Sequence, residues 1–370
     1  MTAPRLEVDL GAIARNARVL VDHLALKGIR VTGVTKAALG SPGVADAMLR
    51  GGVTGLGDSR VENVVRLRAA GVTGPITLIR SPMPSEVARV VRNADISLNT
   101  EAVVLEALST AATRQSTTHA VILMVELGDL REGVPASDVV DLALVVGRQP
   151  GLRLLGLGTN LACQNGIAPD DRKMAELSRL VEQVEFACGN ELSVVSGGNS
   201  ANLDWALAAD DVGRIDELRL GEAILLGTEP LQRRPIAGLR TDAFTLVAEV
   251  IEAREKPAQP WGDAAQAAFG ERPRRVRTGT VRQAILAVGR QDVDPDGLRP
   301  PEGITVMGTS SDHLVVDVGD HEVSVGDEIA FQLDYSALLR AMTSPFATKV
   351  EHGAVLPVGY PPPRRGADVA

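Results

Sequence analysis

The sequence predicts an α/β protein in which a (β/α)8 TIM-type barrel is followed by a smaller, mostly-β C-terminal domain. Between residues 13 and 226, short apolar runs alternate with amphipathic stretches, which is typical of repeated strand–helix units. Eight such runs occur, and the segment is about as long as a barrel without large insertions requires. After Gly227 the helical periodicity nearly disappears, and Gly, Pro and Asp separate the apolar runs.

In the first part of the chain, each predicted strand is a short run of Ile, Val and Leu, and each predicted helix has a polar and an apolar face. The predicted strands cover residues 29–35, 54–57, 76–79, 96–98, 120–127, 152–158, 192–195 and 218–220. The predicted helices cover residues 44–50, 61–69, 101–112, 139–147, 172–187 and 201–207. We therefore assign residues 1–228 to the barrel domain.

The second part of the chain predicts a separate β domain over residues 241–351. Its predicted strands cover residues 246–251, 281–288, 304–307, 314–318 and 328–333. Pro230, Pro235 and Gly238 mark the linker that precedes it. The last residues, 352–370, are rich in proline and lack periodicity, so we expect a flexible tail there, including the run 361–365.

Composition limits the classes of function. The 370 residues carry a net charge of −9, with 38 basic and 47 acidic side chains, so no basic face for nucleic acid is expected. No segment reaches the roughly 20 apolar residues of a membrane span, and the N-terminus lacks a signal-peptide pattern. Cys163 and Cys188 are too few and too far apart for a disulfide framework, which favours the cytoplasm.

Polar residues follow almost every predicted barrel strand, where side chains converge on one mouth of such a barrel. Some of them fit helix caps equally well, Asn99 and Ser200 in particular. The full set is Lys36, Asp58, Ser59, Arg60, Arg80, Asn99, Asp129, Arg131, Asn160, Ser196, Gly197, Gly198, Asn199, Ser200, Arg219 and Gly221.

Lys36 ends the apolar run RVTGVTK, and helix capping does not explain a lysine there. At the mouth of an apolar barrel its amine would be partly desolvated, which favours the neutral form that attacks a carbonyl. A lysine that reaches into water along its own stem is the alternative. The position thus makes Lys36 a candidate Schiff-base lysine.

The run SGGNS precedes a predicted helix, and its two glycines let the backbone approach an anion closely. A plain glycine turn is the alternative. Arg219 and Gly221 follow the last predicted strand, and phosphate sites in barrels commonly use the loops after strands seven and eight. A lysine opposite a phosphate site indicates an aldehyde cofactor held at both ends, and pyridoxal 5′-phosphate is the expected one.

Several stretches together resemble the ornithine racemase branch of the alanine racemase-like pyridoxal-phosphate enzymes, and the match runs from about residue 4 to residue 351. These stretches are VTKAALG, ELGDLREGV, GLGTNLACQNG, SVVSGGNS, LRLGEAILLG, ILAVGRQDVD and GTSSDHLVVDVGD. The resemblance implies an isomerase of the racemase class that acts on a free amino acid, with ornithine or another basic amino acid as the best candidate.

The resemblance also implies a role for individual residues. Lys36 would carry the cofactor and act as the base on one face, while Arg219 would face the pyridine nitrogen. Arg131 would lie near the phenolic oxygen and the substrate carboxylate. Asn160 would bind the cofactor, since it stands where alanine racemases have a histidine stacked on the ring. The phosphate would be held by Ser196, Gly197, Gly198, Asn199, Ser200 and Gly221.

A racemase needs acid–base groups on both faces of the substrate Cα, and alanine racemases take the second one, a tyrosine, from a partner subunit. This sequence has only Tyr335 and Tyr360, and Trp261 lies near the usual place of that tyrosine. His313 is the favoured replacement on intrinsic basicity, with Ser311, Asp312, Ser310 and Asp292 as further candidates. A homodimer whose active sites are completed by the C-terminal domains is therefore expected.

Other functions stay open. If the second base is missing, the protein could act from one face as a lyase or aldolase on D-amino acids. No cysteine follows Cys188, so we predict no metal site of the kind that metal-dependent relatives have. A pyridoxal-phosphate homeostasis protein without turnover, or a cofactor-free phosphosugar enzyme, are the remaining alternatives. Relatives of the first kind resemble a barrel alone, which the appended β domain disfavours.

Overall fold

The computed structural model describes residues 2–263, 265–267, 269–270 and 278–353. The chain begins with a short strand, β1 (Arg5–Asp9), and a helix, α1 (Leu10–Ala25). Asp9 caps this helix, because its carboxylate accepts a hydrogen bond of 3.0 Å from the N–H of Ala12. The buried residues Ile13, Ala17, Leu20 and Leu24 follow one another at helical spacing, so this helix, which was not predicted, had a signal in the sequence.

Eight parallel strands then form a closed barrel in which the last strand pairs with the first. The predicted fold class is confirmed, with every predicted strand present within about three residues of its expected ends. The strands are β2 (Arg30–Val34), β3 (Gly55–Asp58), β4 (Ile76–Leu78), β5 (Ile96–Asn99), β6 (His119–Val125), β7 (Leu152–Thr159), β8 (Val194–Ser196) and β9 (Glu217–Leu220).

Helices cover the outside of the barrel. They are α2 (Pro42–Arg50), α3 (Val61–Ala69), α4 (Val87–Asn93), α5 (Ala102–Arg114), α6 (Val139–Gly147), α7 (Asp171–Cys188), α8 (Leu203–Ala208) and α9 (Glu222–Leu226). The inside of the barrel is filled by aliphatic side chains such as Leu98, Ile122, Met124 and Leu155. This rigid aliphatic layer supports the loops that follow the carboxyl ends of the strands.

The remaining strands form a mostly antiparallel sheet in the order β12-β15-β10-β11-β14-β13. They are β10 (Phe244–Pro257), β11 (Thr280–Leu286), β12 (Leu298–Arg299), β13 (Thr305–Thr309), β14 (Leu314–Asp317), β15 (Glu328–Leu333) and β16 (Thr348–His352). A helix, α10 (Tyr335–Thr343), follows β15. We call this part of the molecule the sheet domain.

Two features of the sheet domain differ from the prediction. Strand β1 pairs with β10 and β16, so the N-terminal residues of the segment 1–228 belong to the sheet rather than to the barrel. Its alternating buried residues, Leu6 and Val8, explain this pairing, since one face of the strand is covered by the sheet domain's core. Helix α10 was not predicted, because helical periodicity is nearly absent from this mostly-β region.

The tail predicted at 352–370 falls on residues outside those described, apart from His352, which ends β16, and Gly353. Within the described ranges, no helix is long and apolar enough to cross a membrane.

Candidate active site

Lys36 lies at the carboxyl end of β2, as the first residue of a short 3-10 turn, and its side chain is half-buried. Its ammonium nitrogen, Nζ, lies 5.8 Å from the centre of the Tyr335 ring. Tyr335 is the first residue of α10, so the sheet domain reaches the barrel mouth in the same chain. A lysine over an aromatic face is attracted by the ring's quadrupole.

Tyr335 is a site residue that sequence reasoning did not select. Its signal was present: Asp334 caps α10 through a 2.9 Å hydrogen bond from the Ala337 N–H, and the buried pair Leu338 and Met342 has helical spacing. Arg233 further fixes the helix, because it lies 3.4 Å from a carboxylate oxygen of Glu222 and 3.9 Å from one of Asp334. Glu222 begins α9, so this bridge joins the barrel to α10.

Asp58, at the end of β3, is fully buried beside Lys36. Burial raises the pKa of this carboxyl, while hydrogen bonds from Arg60, Thr35 and Asn63 and the charge of Lys36 oppose the rise. The Thr35 hydroxyl donates to it at 2.8 Å and the Asn63 amide at 3.0 Å. Asp58 thus anchors the loop behind Lys36 instead of pointing freely into the mouth.

The SGGNS run forms a tight turn after β8. Gly198 has a φ of +142°, and a Cβ there would lie 2.1 Å from the Oδ1 atom of Asn202. The side chain of Asn199 accepts from the Ala201 N–H at 2.8 Å, and Asn202 accepts from the Asn199 N–H at 3.1 Å. Ser200 accepts from the N–H of Ala223 at 3.2 Å, which ties the turn to α9.

Gly221 completes the cradle between β9 and α9. A Cβ on Gly221 would lie 3.2 Å from the Cβ of Val34, two residues before Lys36. The first N–H groups of α9 have no carbonyl within the helix to donate to. Gly221, at the end of β9, and Lys36, at the end of the neighbouring strand β2, therefore lie side by side at the barrel mouth.

Arg219 is almost completely buried inside the barrel at the end of β9. Its guanidinium donates to the hydroxyl of Ser196 and, at 2.8 Å, to the carbonyl of Thr159. Burial lowers the pKa of this guanidinium, opposed mainly by the carboxylate of Glu217. The guanidinium is therefore held in place by the ends of β7 and β8.

Arg131, Asn160, Cys163 and Asn199 form a second cluster on the loops after β6, β7 and β8. The Asn199 amide nitrogen lies 3.0 Å from Oδ1 of Asn160 and 3.4 Å from the sulfur of Cys163. The hydrogen-bonded ion pair with Glu132 raises the pKa of Arg131, and the Cys163 thiol also interacts with this guanidinium. Cys163 therefore links the two parts of the cluster, because it contacts both Asn199 and Arg131.

The remaining candidates lie in the sheet domain, away from this cluster. Nδ1 of His313 lies 2.7 Å from Oδ1 of Asp312, and the Ser311 hydroxyl lies 3.3 Å from the same oxygen. The loop's backbone carbonyls accept from residues 290 and 291 of the same domain, and its other hydrogen bonds lie within the loop or its flanking strand. Asp292 is buried and accepts from Ser344 at 2.8 Å, so we exclude it as a second base.

The residues present fit a phosphorylated aldehyde cofactor. Backbone donors, hydroxyls and a buried arginine suit a phosphate and a heteroaromatic ring, and Lys36 supplies the amine. The side-chain nitrogen of Asn160 is buried and, within the described residues, has no hydrogen-bond partner, so it is available to a bound group. No group of three metal-ligating side chains occurs in the described ranges. The fold and the site define a barrel enzyme built around such a cofactor.

Comparisons with known proteins identify the family. The family described as alanine racemase, N-terminal domain, matches residues 8–230. A lysine racemase of Thermotoga maritima is 39% identical over 353 residues, covering 95% of this chain and 99% of that protein. An ornithine racemase of Acetoanaerobium sticklandii is 34% identical, covering 94% of this chain and 99% of that protein.

Solved structures agree on the fold. The alanine racemase of Streptomyces coelicolor has a TM-score of 0.75 at 21% identity, covering 94% of this chain and 97% of that one. A D-threonine aldolase from Filomicrobium marinum has a TM-score of 0.72 at 18% identity, with 92% and 88% covered. The chain belongs to the alanine racemase family of pyridoxal-phosphate-dependent enzymes, and its predicted racemase class and cofactor are confirmed.

Proposed function

We propose that this racemase interconverts the L and D forms of a basic amino acid, with ornithine and lysine as the first substrates to test. The observation that carries the choice of substrate is the identity of 39% and 34% to a lysine racemase and an ornithine racemase over nearly the full length of both chains. The two-domain organisation, with Tyr335 of the sheet domain against Lys36 of the barrel, supports an enzyme that uses both domains.

The roles of the barrel residues follow from their positions. Lys36 holds the cofactor and exchanges a proton with the substrate Cα on one face. The turn from Ser196 to Ser200, with Gly221, would hold the phosphate, and Arg219 would bind at the ring nitrogen. Arg131 binds the substrate carboxylate with donors outside its pair with Glu132. When bound, pyridoxal 5′-phosphate supplies an electron sink that makes the Cα proton removable.

The proton on the opposite face is proposed to move through His313 of a second copy of the chain. Asp312 accepts at Nδ1 of this histidine, which orients the ring and directs Nε2 outward, as a carboxylate does for a general base. The Ser311 hydroxyl donates a hydrogen bond of 3.3 Å to the Asp312 carboxylate. Because the loop is half-exposed in one chain, a homodimer in which it covers the partner's barrel mouth would complete the site.

The charge that recognises the substrate's side-chain ammonium is proposed to come from the sheet domain as well. Asp263 and Asp312 are exposed and are the candidates for this contact, whereas Asp292 is buried and accepts a hydrogen bond from Ser344. A cytoplasmic location is part of the same proposal, because both cysteines are free and Cys163 is exposed, which suits a reducing compartment.

Deuterium uptake at Cα tests this function. The holoenzyme is incubated in heavy water with L- or D-ornithine, lysine, alanine or serine, and the products are separated on a chiral column. We expect exchange with inversion, fastest for ornithine or lysine. Exchange without inversion would show that protons are moved on only one face of the substrate Cα, which would favour a lyase or aldolase. No exchange with any of them would contradict the proposal and favour a cofactor-carrying protein.

A further inference from the structure

Two irregular loops at the barrel mouth are joined by one buried carboxylate. The loop after β6 carries Asp129 and Arg131, and the loop after β7 carries Asn160 and Cys163. Asp129 is only 1% exposed, although it lies in a loop. A buried carboxylate in a loop is costly unless several donors satisfy it.

The donors are backbone N–H groups of the neighbouring loop. Oδ2 of Asp129 accepts from Cys163 at 3.1 Å and from Gln164 at 2.9 Å, and Oδ1 accepts from Asn165 at 3.0 Å. The side chain of Asn165 returns a bond of 2.6 Å to the Asp129 carbonyl. Burial alone would raise the pKa of this carboxyl, but the backbone donors outweigh it and hold the pKa below its ordinary value.

This arrangement fixes the geometry of the substrate side of the site. Arg131 lies two residues after Asp129, and Asn160 begins the loop that Asp129 holds. From the other side, Asn199 donates to Asn160 and, at 2.8 Å, to the carbonyl of Leu161. Both ends of the loop 160–165 are therefore clamped, one by Asp129 and one by Asn199.

Asp129 cannot itself serve the reaction as a base, since both of its oxygens face backbone donors. We propose that Asp129 is a positioning residue, which holds the loop 160–165 against the loop after β6 and so places Arg131 and Asn160 for the substrate. The assignment rests on the proposed function, because Arg131 is taken to bind the substrate carboxylate. Aspartate is required by its chemistry: an amide in its place would direct an NH2 group at backbone N–H groups.

Asp129→Asn, studied in the holoenzyme, tests this role, with Asp170→Asn as the matched control. Asp170 ends the same loop region, but it is exposed and caps α7 through a 2.8 Å bond from the Lys173 N–H. We expect Asp129→Asn to raise KM for ornithine or lysine about tenfold with kcat changed less than about threefold, since positioned charged hydrogen bonds contribute at this level. Asp170→Asn should leave both constants unchanged.

Hydrogen exchange read by mass spectrometry supplies a second readout that does not need turnover. The amides of Cys163, Gln164 and Asn165 should exchange at least about tenfold faster in Asp129→Asn, while the peptide from α7 stays at the wild-type rate. Asn165→Ala, which removes the 2.6 Å bond to the Asp129 carbonyl, is a milder variant in case Asp129→Asn does not fold. It should shift KM and exchange in the same direction by smaller factors.

Three results would overturn the inference. They are an unchanged rate of hydrogen exchange in the loop 160–165 of Asp129→Asn, faster exchange together with a wild-type KM, and a loss of activity confined to kcat. If the wild type turns over no amino acid, the proposed function fails by itself. The dissociation constant of ornithine, measured by its effect on the cofactor's absorbance, then replaces KM: a tenfold rise in Asp129→Asn supports the inference, and an unchanged value overturns it.

Discussion

The barrel mouth and the loop from Ser310 to His313 carry the two halves of the proposed site, and they are built in opposite ways. At the mouth, each functional side chain is fixed by contacts from distant parts of the chain: Arg219 by Ser196 and Thr159, and Lys36 against Tyr335. In the loop, His313 is oriented only by Asp312 and by other immediate neighbours, and its side chain is 45% exposed.

The electrostatics show the same contrast. Burial lowers the pKa of Arg219, so the barrel changes the properties of the groups it encloses. The Asp312 carboxyl is exposed, and the hydrogen bond with His313 is what lowers its pKa. The barrel half is thus preorganised within one chain, whereas in our proposal the loop half acts only once a partner subunit covers it.

The largest expected effect is at the preorganised half. Lys36→Ala should reduce kcat at least about 1,000-fold, because the group that binds the cofactor and moves the proton is lost. It should also remove the absorbance band of the lysine-bound cofactor. Lys173→Ala is the control, because Lys173 is a half-buried lysine of α7 that is paired with Asp170, and it should keep both the activity and the band. A retained band would show that another lysine carries the cofactor.

A smaller loss is expected when the buried cation is neutralised. Arg219→Gln should lower kcat about 100-fold and should increase the side reaction that converts the cofactor to its amine form, because the ring nitrogen can then be protonated. Pyridoxamine phosphate released per turnover, measured by chromatography, gives the ratio. Arg214→Gln is the matched control, since Arg214 is paired with Glu185 on the outside of the barrel. An unchanged ratio would remove Arg219 from this role.

The exposed half is tested by His313→Ala, which should slow racemisation about 10-fold to 100-fold and one direction more than the other. His321→Ala, in the same domain, should be neutral, because His321 contacts the Glu302 carbonyl.

Mixing the Lys36→Ala and His313→Ala proteins sharpens the comparison. If His313 serves the partner's barrel, Lys36→Ala and His313→Ala chains refolded together should regain about a quarter of wild-type activity, since half of the dimers hold one intact site. If mass spectrometry verifies the heterodimers and activity does not recover, either both halves of the site come from the same chain or His313 is not the second base.

Much of this arrangement could be predicted from the sequence, and the reasons are physical. Barrel strands are short aliphatic runs, and side chains after them must converge, which is why Lys36, the SGGNS turn and Arg219 could be selected before the structure. Strand β1 and Tyr335 could not be placed in the same way. Their positions depend on pairing with residues more than 200 positions away and on a helix within a β-rich segment.

The bonds of Asp129 to the loop 160–165 were equally invisible in the sequence. An aspartate in a βα loop looks the same whether it caps a helix, faces the substrate or accepts from another loop. The role of the aspartate depends on which backbone N–H groups the fold places next to it. Such contacts leave no pattern in composition or periodicity.

The smallest effect on catalysis is expected from substitution of His119, a buried residue at the amino end of β6. This substitution tests whether every buried ionisable group of the barrel affects catalysis. Burial lowers the pKa of His119 to about 4, and Nε2 lies 2.9 Å from the Ser97 hydroxyl. Because the folded pKa is below the ordinary 6.5, the unfolded chain binds the extra proton first. This contribution to stability is full above about pH 6.5 and is lost as the pH falls towards 4, by about 3 kcal/mol.

Urea unfolding of the wild type and of His119→Gln at pH 7 and pH 4.5 measures this loss. The variant should show a smaller decrease in the free energy of unfolding between the two pH values, with kcat near that of the wild type at pH 7. His23→Gln, at an exposed histidine of α1, should follow the wild type. An equal decrease in all three proteins would mean that His119 is already protonated or exposed, while a loss of kcat would show that the barrel transmits changes from its amino end to the mouth.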